Sequence, residues 1–172
     1  MIQGEADAEA CLPNLFALHE KALQDGAAVV VVGCFVDTGL ADLRARSRMP
    51  VLGLGEAACL LASLAAPHFV VITTLTVSVP TIEHNIRAMG LWDRCVGVRP
   101  SGVPVLELGT GTERVAQAVA AVGQATPSAA VVLGCSGMTA IVGGLHAALP
   151  GTRMIDPVHA AASLARGLTI TA

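Results

Sequence analysis

Two stretches of this 172-residue chain share one pattern, an apolar and β-branched run that ends in Gly-Cys. The first reads VVVVGCFVD over residues 29–37 and contains Cys34, and the second reads VVLGCSGM over residues 131–138 and contains Cys135. A continuous apolar run is typical of a strand buried in a parallel sheet, and α/β sheets bind ligands at the carboxyl ends of their strands. The pattern therefore predicts two buried strands that each present a thiol at a ligand-binding edge.

The similarity continues beyond the two cysteines. Each is followed by a helical pattern, then by a short apolar strand over residues 50–54 or 153–155, and then by an Ala/Leu-rich helix. Glu56 opens the first of these helices and His159 opens the second, at nearly the same spacing from the preceding cysteine. We interpret this as an internal duplication of one α/β unit. Chance similarity is the alternative, because strand-glycine-turn-helix segments are common.

The order of the elements is βαβαβ, which predicts an α/β fold with mostly parallel sheets flanked by helices. We expect two pseudo-symmetric lobes with flavodoxin-like halves, the first formed by residues 1–67 plus 157–172 and the second by residues 68–156. The stretch from Phe69 to Cys135 is twice as long as the part of the chain that precedes Cys34. The first lobe is therefore predicted to be incomplete at its N-terminus, unless the two repeats were never equal.

Two local features of the first half complete the structural expectations. Residues 1–11 are acidic and small and show no strong period, whereas residues 13–24 have the spacing of an amphipathic helix with His19 on the solvent side. Asp37 lies in a turn and is expected to be a turn or capping residue rather than a base. Glu56 and His159, at the starts of equivalent helices, are expected to cap or support rather than to catalyse.

The composition excludes several classes of function. Hydrophobic residues make up 53% and charged residues 13%, so the chain can bury a core and disorder is not expected. A net charge of −3, with three Phe, one Trp and no Tyr, provides neither a basic surface nor aromatic side chains for stacking on nucleic acid. No apolar run has the length that a bilayer requires, and no signal peptide follows Met1. Neither a nucleic acid nor a membrane is therefore expected as a partner.

The cysteine usage predicts a reduced, cytoplasmic protein. There are five cysteines with no C-x-x-C pair and no histidine at metal-ligand spacing, so a metal site is not expected. A single lysine, Lys21, lies in a solvated helical pattern, which argues against a Schiff-base or phosphate-binding lysine. The excess of apolar residues on so short a chain predicts a homo-oligomer.

Two thiols at strand-to-helix junctions suit a particular chemistry. Backbone N–H groups at such a junction lower a thiol pKa and can hold a carboxylate or enolate oxygen. If Cys34 and Cys135 face each other across a cleft, one thiolate can remove a proton from a carbon next to a carbonyl while the other thiol protonates the opposite face. Such a racemisation needs no cofactor, which agrees with the lack of a GxGxxG or Walker loop.

The alternative for any single cysteine is that it is an inert, buried hydrophobic residue. That is the role expected for Cys11, Cys59 and Cys95.

Six motifs in order resemble the aspartate/glutamate/hydantoin racemase superfamily, and specifically its hydantoin and allantoin racemase branch. They are GCFVDTGL at 33–40, PVLGLGEAA at 50–58, VITTL with SVP at 71–80, GVPVLEL at 102–108, VLGCSGM at 132–138 and IDPVHAA at 155–161. The resemblance implies a cofactor-independent racemase acting on a small molecule, a 5-substituted hydantoin or allantoin, with Cys34 and Cys135 as the catalytic pair. It also implies a substrate pocket formed by Phe35, Val36, Thr73, Thr74, Ser136 and Gly137.

The chain departs from the family pattern in two places. Family members usually begin with a strand and an Asn-Pro-Asn-Thr-type loop, and this chain has neither. The usual CFGDPGL is here CFVDTGL, so Val36 and Thr38 replace Gly and Pro, and the β-branched Val36 is expected to reshape the pocket. A misplaced gene start and a real shortening both explain the missing segment. The alternative functions are a dicarboxylic acid isomerase or decarboxylase of the same superfamily, or an inactive paralogue that acts as a binding protein.

Overall fold

Six short strands alternate with seven α-helices in the computed structural model, which describes residues 5–169. The helices are α1 (Glu5–Gln24), α2 (Leu40–Arg46), α3 (Leu54–Ala65), α4 (Val79–Ala88), α5 (Thr112–Ala125), α6 (Val142–Ala148) and α7 (Pro157–Thr169). The strands are β1 (Val30–Val32), β2 (Val51–Gly53), β3 (Phe69–Thr73), β4 (Cys95–Pro100), β5 (Ala130–Leu133) and β6 (Met154–Ile155). None of these helices has the length and apolar character needed to cross a bilayer.

The strands form two parallel sheets, which confirms the predicted α/β class. One sheet has the order β1-β2 and the other has the order β4-β3-β5-β6. Every pair is parallel. All residues of β3 and β5 are buried, as expected for central strands covered by helices on both faces.

The two sheets repeat one unit in the same register. Val30 and Val31 of β1 pair with residues 51 and 52 of β2, and Val131 and Val132 of β5 pair with residues 154 and 155 of β6. Each thiol-bearing strand is thus paired with the following strand in the equivalent alignment. On its other side β5 pairs with β3, whereas no strand of residues 5–169 lies on that side of β1. The two halves were predicted to be unequal in length, and among the described residues the first sheet has two strands whereas the second has four.

Equivalent helices of the two repeats pack against each other. Helix α3, after β2, and helix α7, after β6, are in extensive contact. Ala57 and Ala58 of α3 and Ala160 and Ala161 of α7 are all buried in the same core cluster. Because alanine side chains are small, the two helix backbones approach closely through matching positions of the two repeats.

Two expectations for the N-terminal helix are wrong. Helix α1 begins at Glu5, not at residue 13, and contains Pro13 in its interior. Its first turns are formed by residues EADAEA, whose alanines and glutamates have high helix propensity although they carry no apolar period. His19 is 3% exposed rather than solvent-facing. Residues 1–4 of the stretch predicted to lack a period lie outside the described residues.

Candidate active site

One cavity of about 240 Å³ lies where the carboxyl ends of β1, β3 and β5 converge. It receives both cysteines that follow the repeated strands. The lining residues are Gly33, Cys34, Phe35, Val36, Thr73, Thr74, Ser78, Val105, Gly134, Cys135 and Ser136. Because the strands are parallel, their carboxyl ends lie on the same side of each sheet, and this brings segments distant in sequence to one place.

Seven of the eight residues proposed from the sequence line this cavity. The exception is Gly137, which lies directly behind the Cys135 thiol: a Cβ built on it would be 3.6 Å from Sγ. Sequence reasoning did not identify Ser78 and Val105, which lie in short 3₁₀ turns after β3 and β4. Both residues belong to motifs of the resemblance, SVP and GVPVLEL. Their position just beyond strand ends was the signal that could have identified them.

The turn after β1 holds the Cys34 thiol. The Val36 N–H bonds to the sulfur, and the Thr38 hydroxyl donates to Sγ at 4.0 Å. Burial raises the pKa of Cys34, and these two donors oppose the rise. The charge of Asp37 and the nearby Cys11 thiol raise it further. The surroundings thus favour the protonated form of this thiol.

The Cys135 thiol is held by backbone groups of the turn that follows it. Cys135 has extended backbone geometry and directly precedes the 3₁₀ turn Ser136–Ile141. Burial raises the pKa of Cys135, and N–H groups of Gly137 and Met138 oppose the rise. The nearby Cys34 thiol also raises the pKa of Cys135.

The expected lowering of the thiol pKa values at the strand-to-helix junctions is wrong in its net effect. The N–H donors are present at both sulfurs, as the sequence suggested, but the burial of each thiol has the larger influence. Desolvation disfavours the charged thiolate because the cavity offers less polar surroundings than water. Both Cys34 and Cys135 therefore hold their protons more tightly than a thiol in solution.

The capping role expected for Asp37 is confirmed. Its carboxylate accepts the N–H groups of Gly55 at 2.9 Å and Glu56 at 2.8 Å, in the first turn of α3. Glu56 points elsewhere and forms a two-armed ion pair with Arg44 of α2. The other helix-opening residue, His159, has a 75% exposed side chain. Neither Glu56 nor His159 lines the cavity.

The cavity is lined by uncharged residues only. The hydroxyls of Thr74, Ser78 and Ser136 line it without a hydrogen-bond partner in the described part of the chain, whereas Thr73 donates to the Gly134 carbonyl at 3.4 Å. The site thus offers two thiols, unpaired hydroxyls and backbone N–H groups. Within residues 5–169, no group of three or more His, Cys, Asp or Glu side chains is arranged as a metal site.

The parallel α/β fold and the small, uncharged cavity at its strand ends agree with the racemase class that the motifs resemble. The sequence agrees over nearly its whole length. The chain belongs to the Asp/Glu/hydantoin racemase family, whose pattern matches residues 1–165.

Individual relatives support the same branch of the family. The chain is 34% identical to a hydantoin racemase from Rhizobium meliloti over 171 residues, covering 97% of this chain and 70% of that protein. An allantoin racemase from Klebsiella pneumoniae superposes with a TM-score of 0.92 at 28% identity, covering 99% of this chain and 71% of the other. An allantoin racemase from Pseudomonas fluorescens superposes with a TM-score of 0.75 at 30% identity, covering 84% of this chain and 63% of the other.

Proposed function

We propose that the protein racemises a small, neutral cyclic amide, a 5-substituted hydantoin or allantoin, by acid–base catalysis with two cysteines and without a cofactor. The observation that carries this proposal is that Cys34 and Cys135 line one cavity of about 240 Å³ from equivalent positions of two repeats. The names of the hydantoin and allantoin racemases that the chain resembles favour the same substrates.

Each turnover moves one proton off and another onto the same carbon. One sulfur, as thiolate, takes the proton from the carbon next to the carbonyl, and the electron pair of that C–H bond moves toward the carbonyl oxygen as an enolate. The other sulfur, as thiol, gives its proton to the opposite face of that carbon. The first sulfur is then a thiol and the second a thiolate, so the enzyme is ready for the reverse enantiomer. Cys34 and Cys135 exchange roles with the direction of reaction.

The hydroxyls of the cavity are suited to stabilise the developing enolate. Thr74, Ser78 and Ser136 present donors with no partner in the described residues, and these can reach carbonyl oxygens of a bound ring. Donors aimed at the position of a developing negative charge are worth more in a water-poor cavity than in water. Phe35, Val36 and Val105 provide the apolar surface against which the ring and its substituent would lie.

The absence of charged side chains among the lining residues favours a neutral substrate over a dicarboxylic acid. Neutral N–H and O–H donors can hold one carboxylate, but two carboxylates in one partly buried site repel each other and favour cationic partners. The cavity provides none. This is an argument against the alternative of a dicarboxylic acid isomerase, and the presence of two thiols in one cavity is an argument against a decarboxylase that needs a single proton donor.

Isotope exchange tests the proposal directly. An enantiopure 5-substituted hydantoin in heavy water is followed by NMR for exchange at C5 and by polarimetry for loss of optical rotation. The proteins compared are the wild type, Cys34→Ala, Cys135→Ala and the control Cys95→Ala, whose buried thiol lies outside the cavity. Exchange with racemisation is expected in the wild type and the control. Either other variant should lose racemisation and keep at most slow exchange of one enantiomer.

The other outcomes identify the alternatives. If every protein matches the buffer blank with hydantoins and with allantoin, while the ligand still binds, the chain is a binding protein and not a racemase. Exchange that survives unchanged in both cavity variants overturns the two-cysteine mechanism.

We also propose that the protein acts as a homo-oligomer in the cytoplasm. Several large apolar side chains are exposed, among them Leu64 on α3 and Leu106 in the 3₁₀ turn after β4, each at 81%, and coverage by another subunit would bury such side chains. All five cysteines are free, which is consistent with a reducing compartment. Light scattering of the purified protein tests the assembly, since a monomeric mass at micromolar concentration would contradict it.

A further inference from the structure

The turn that carries Cys34 contains the only non-glycine residue of residues 5–169 with a left-handed backbone. Asp37 has a φ of 53°, and its own N–H donates to the Cys34 carbonyl at 3.0 Å. Aspartate and asparagine tolerate this conformation better than other side chains. The backbone of Cys34 is thus closed into a tight turn by Asp37.

The side chain of Asp37 connects this turn to a distant helix. Its two carboxylate oxygens accept the N–H groups of Gly55 and Glu56, 18 and 19 residues further along the chain. The residue before α3, Gly53, has no side chain with which to cap the helix. Since the first N–H groups of a helix have no partner within it, Asp37 supplies the cap from the thiol-bearing turn.

Two glycines allow this close approach. A Cβ at Gly53 would lie 2.3 Å from the Asp37 Oδ1, and a Cβ at Gly55 would lie 2.2 Å from the Phe35 carbonyl oxygen. Both distances are far shorter than any real contact of a Cβ atom. The GLG sequence at 53–55 therefore lets α3 begin directly against the turn of Cys34.

The second repeat does not share this connection. Helix α7 is capped locally by Asp156, whose Oδ1 accepts the His159 N–H at 2.9 Å. The Cys135 sulfur is instead held by N–H groups of its own 3₁₀ turn. Asp156 is therefore a matched comparison for Asp37: both cap equivalent helices, but only Asp37 lies in a turn with a thiol.

We propose that Asp37 is a positioning residue for Cys34: its carboxylate, bonded to the N–H groups of Gly55 and Glu56, ties the thiol-bearing turn to the start of α3. The catalytic importance of this role rests on the proposed use of Cys34 in racemisation. The tether and the electrostatic effect on the thiol do not depend on whether Cys34 takes part in racemisation.

The ionisation of Asp37 is itself sensitive to its surroundings. Burial raises its pKa to about 7, although the two N–H donors oppose the rise. Glu56 on α3 raises the pKa and Arg44 on α2 lowers it, while the thiols of Cys34 and Cys59 also face this carboxyl group. Helix α4 contributes the uncharged Asn85 and Ala88 to the adjoining cavity. Above neutral pH the carboxylate is charged and accepts both N–H groups.

Alkylation of the thiols tests the proposal without any substrate. The rate of iodoacetamide addition to Cys34 is measured against pH by peptide mass spectrometry, with Cys135 as the internal reference. The midpoint of the profile reports the thiol pKa, and its plateau reports access to the thiolate.

Asp37→Asn keeps the backbone preference and one acceptor but removes the charge. It should lower the Cys34 midpoint by several tenths of a pH unit and leave the Cys135 midpoint unchanged. Asp156→Asn should change neither.

The other variant and the activity complete the test. Asp37→Ala removes both acceptors and the left-handed preference, so the plateau of the alkylation rate at Cys34 should rise as the turn opens.

With a substrate that the protein racemises, kcat should fall about tenfold in Asp37→Asn and further in Asp37→Ala. KM should change less than about twofold, because misplacement of a reacting group acts mainly on the chemical step. The proposal is overturned if the Cys34 profile of Asp37→Asn matches the wild type, or if Asp156→Asn shifts it equally. If no protein racemises hydantoins, the alkylation profiles still decide the role of Asp37.

Discussion

The side-chain amide of Asn85 donates a hydrogen bond to the Val36 carbonyl at 2.9 Å. Asn85 lies on α4, in the half of the molecule that contains the four-stranded sheet, whereas Val36 follows Cys34 in the other half. The turn of Cys34 is therefore held from two sides, by Asn85 on α4 and by Asp37 on α3. For the proposed reaction, in which Cys34 and Cys135 act on one substrate, fixing the Cys34 turn relative to both sheets is an advantage.

Removing the Asn85 amide should loosen this turn. In Asn85→Ala the free energy of unfolding should fall by about 1 kcal/mol, the usual worth of one such hydrogen bond, as measured by urea denaturation. The kcat should fall as well, because the Val36 carbonyl no longer has its partner. His84→Ala, an exposed neighbour on the same helix, is the control and should change neither quantity. An Asn85→Ala protein with wild-type kcat would show that α4 does not position the site.

The two thiols should act on opposite enantiomers. In Cys34→Ala only the Cys135 sulfur remains, so only the enantiomer whose proton faces that sulfur can lose it. The sulfur can then return deuterium to the same face. We therefore expect slow exchange without racemisation for one enantiomer in this variant and for the other enantiomer in Cys135→Ala. NMR of both enantiopure substrates in heavy water checks this, and exchange of the same enantiomer in both variants would contradict it.

The plot of kcat/KM against pH should be bell-shaped, with its rising limb in the alkaline range. The proposed mechanism requires one thiolate and one thiol, and the pKa values of both Cys34 and Cys135 are raised by burial above the usual value of about 8.5. Formation of the first thiolate raises the pKa of the second thiol, which widens the range in which one of the two is ionised. Measurement of kcat/KM from pH 6 to 11 with a stable substrate is the check. A maximum below pH 7 would mean that a thiolate already exists there and that burial is not the dominant influence.

Much of this arrangement follows from the sequence because each repeat carries its own strand, glycine and cysteine. The apolar runs predicted both strands, and their parallel alignment then placed both thiols at the same kind of edge. The expected burial is confirmed for β5 but is wrong for β1, where Val31 is 38% exposed. The repeated Gly-Cys pattern does not mark Ser78 and Val105, which follow other strands and reach the cavity through short 3₁₀ turns. The thiol pKa values were also out of reach, since the balance between N–H donors and burial is a property of the folded cavity.

Two glycine positions should respond in opposite ways to alanine. Gly55→Ala places a Cβ against the Phe35 carbonyl, so the start of α3 or the turn of Cys34 must shift, at a cost of about 1–3 kcal/mol and with a loss of activity. Gly123 lies in α5, and a Cβ there would meet no atom within 4 Å. Gly123→Ala should therefore raise the free energy of unfolding by about 0.5–1 kcal/mol through helix propensity, with unchanged activity. Urea titrations of both variants make the comparison, and equal stabilities would contradict it.

The pH dependence of stability should report Asp37. Its pKa is raised from 3.8 to about 7 on folding, chiefly by burial, so the folded protein binds a proton here that the unfolded chain releases. The stabilisation is complete below about pH 4 and is lost as the pH rises through about 7, on the order of a few kcal/mol in all. Asp37→Asn lacks this titration. The difference in unfolding free energy, wild type minus variant, should therefore decrease from pH 4 to pH 8. Denaturation curves at several pH values check this, and parallel pH profiles would show that the carboxyl group titrates normally.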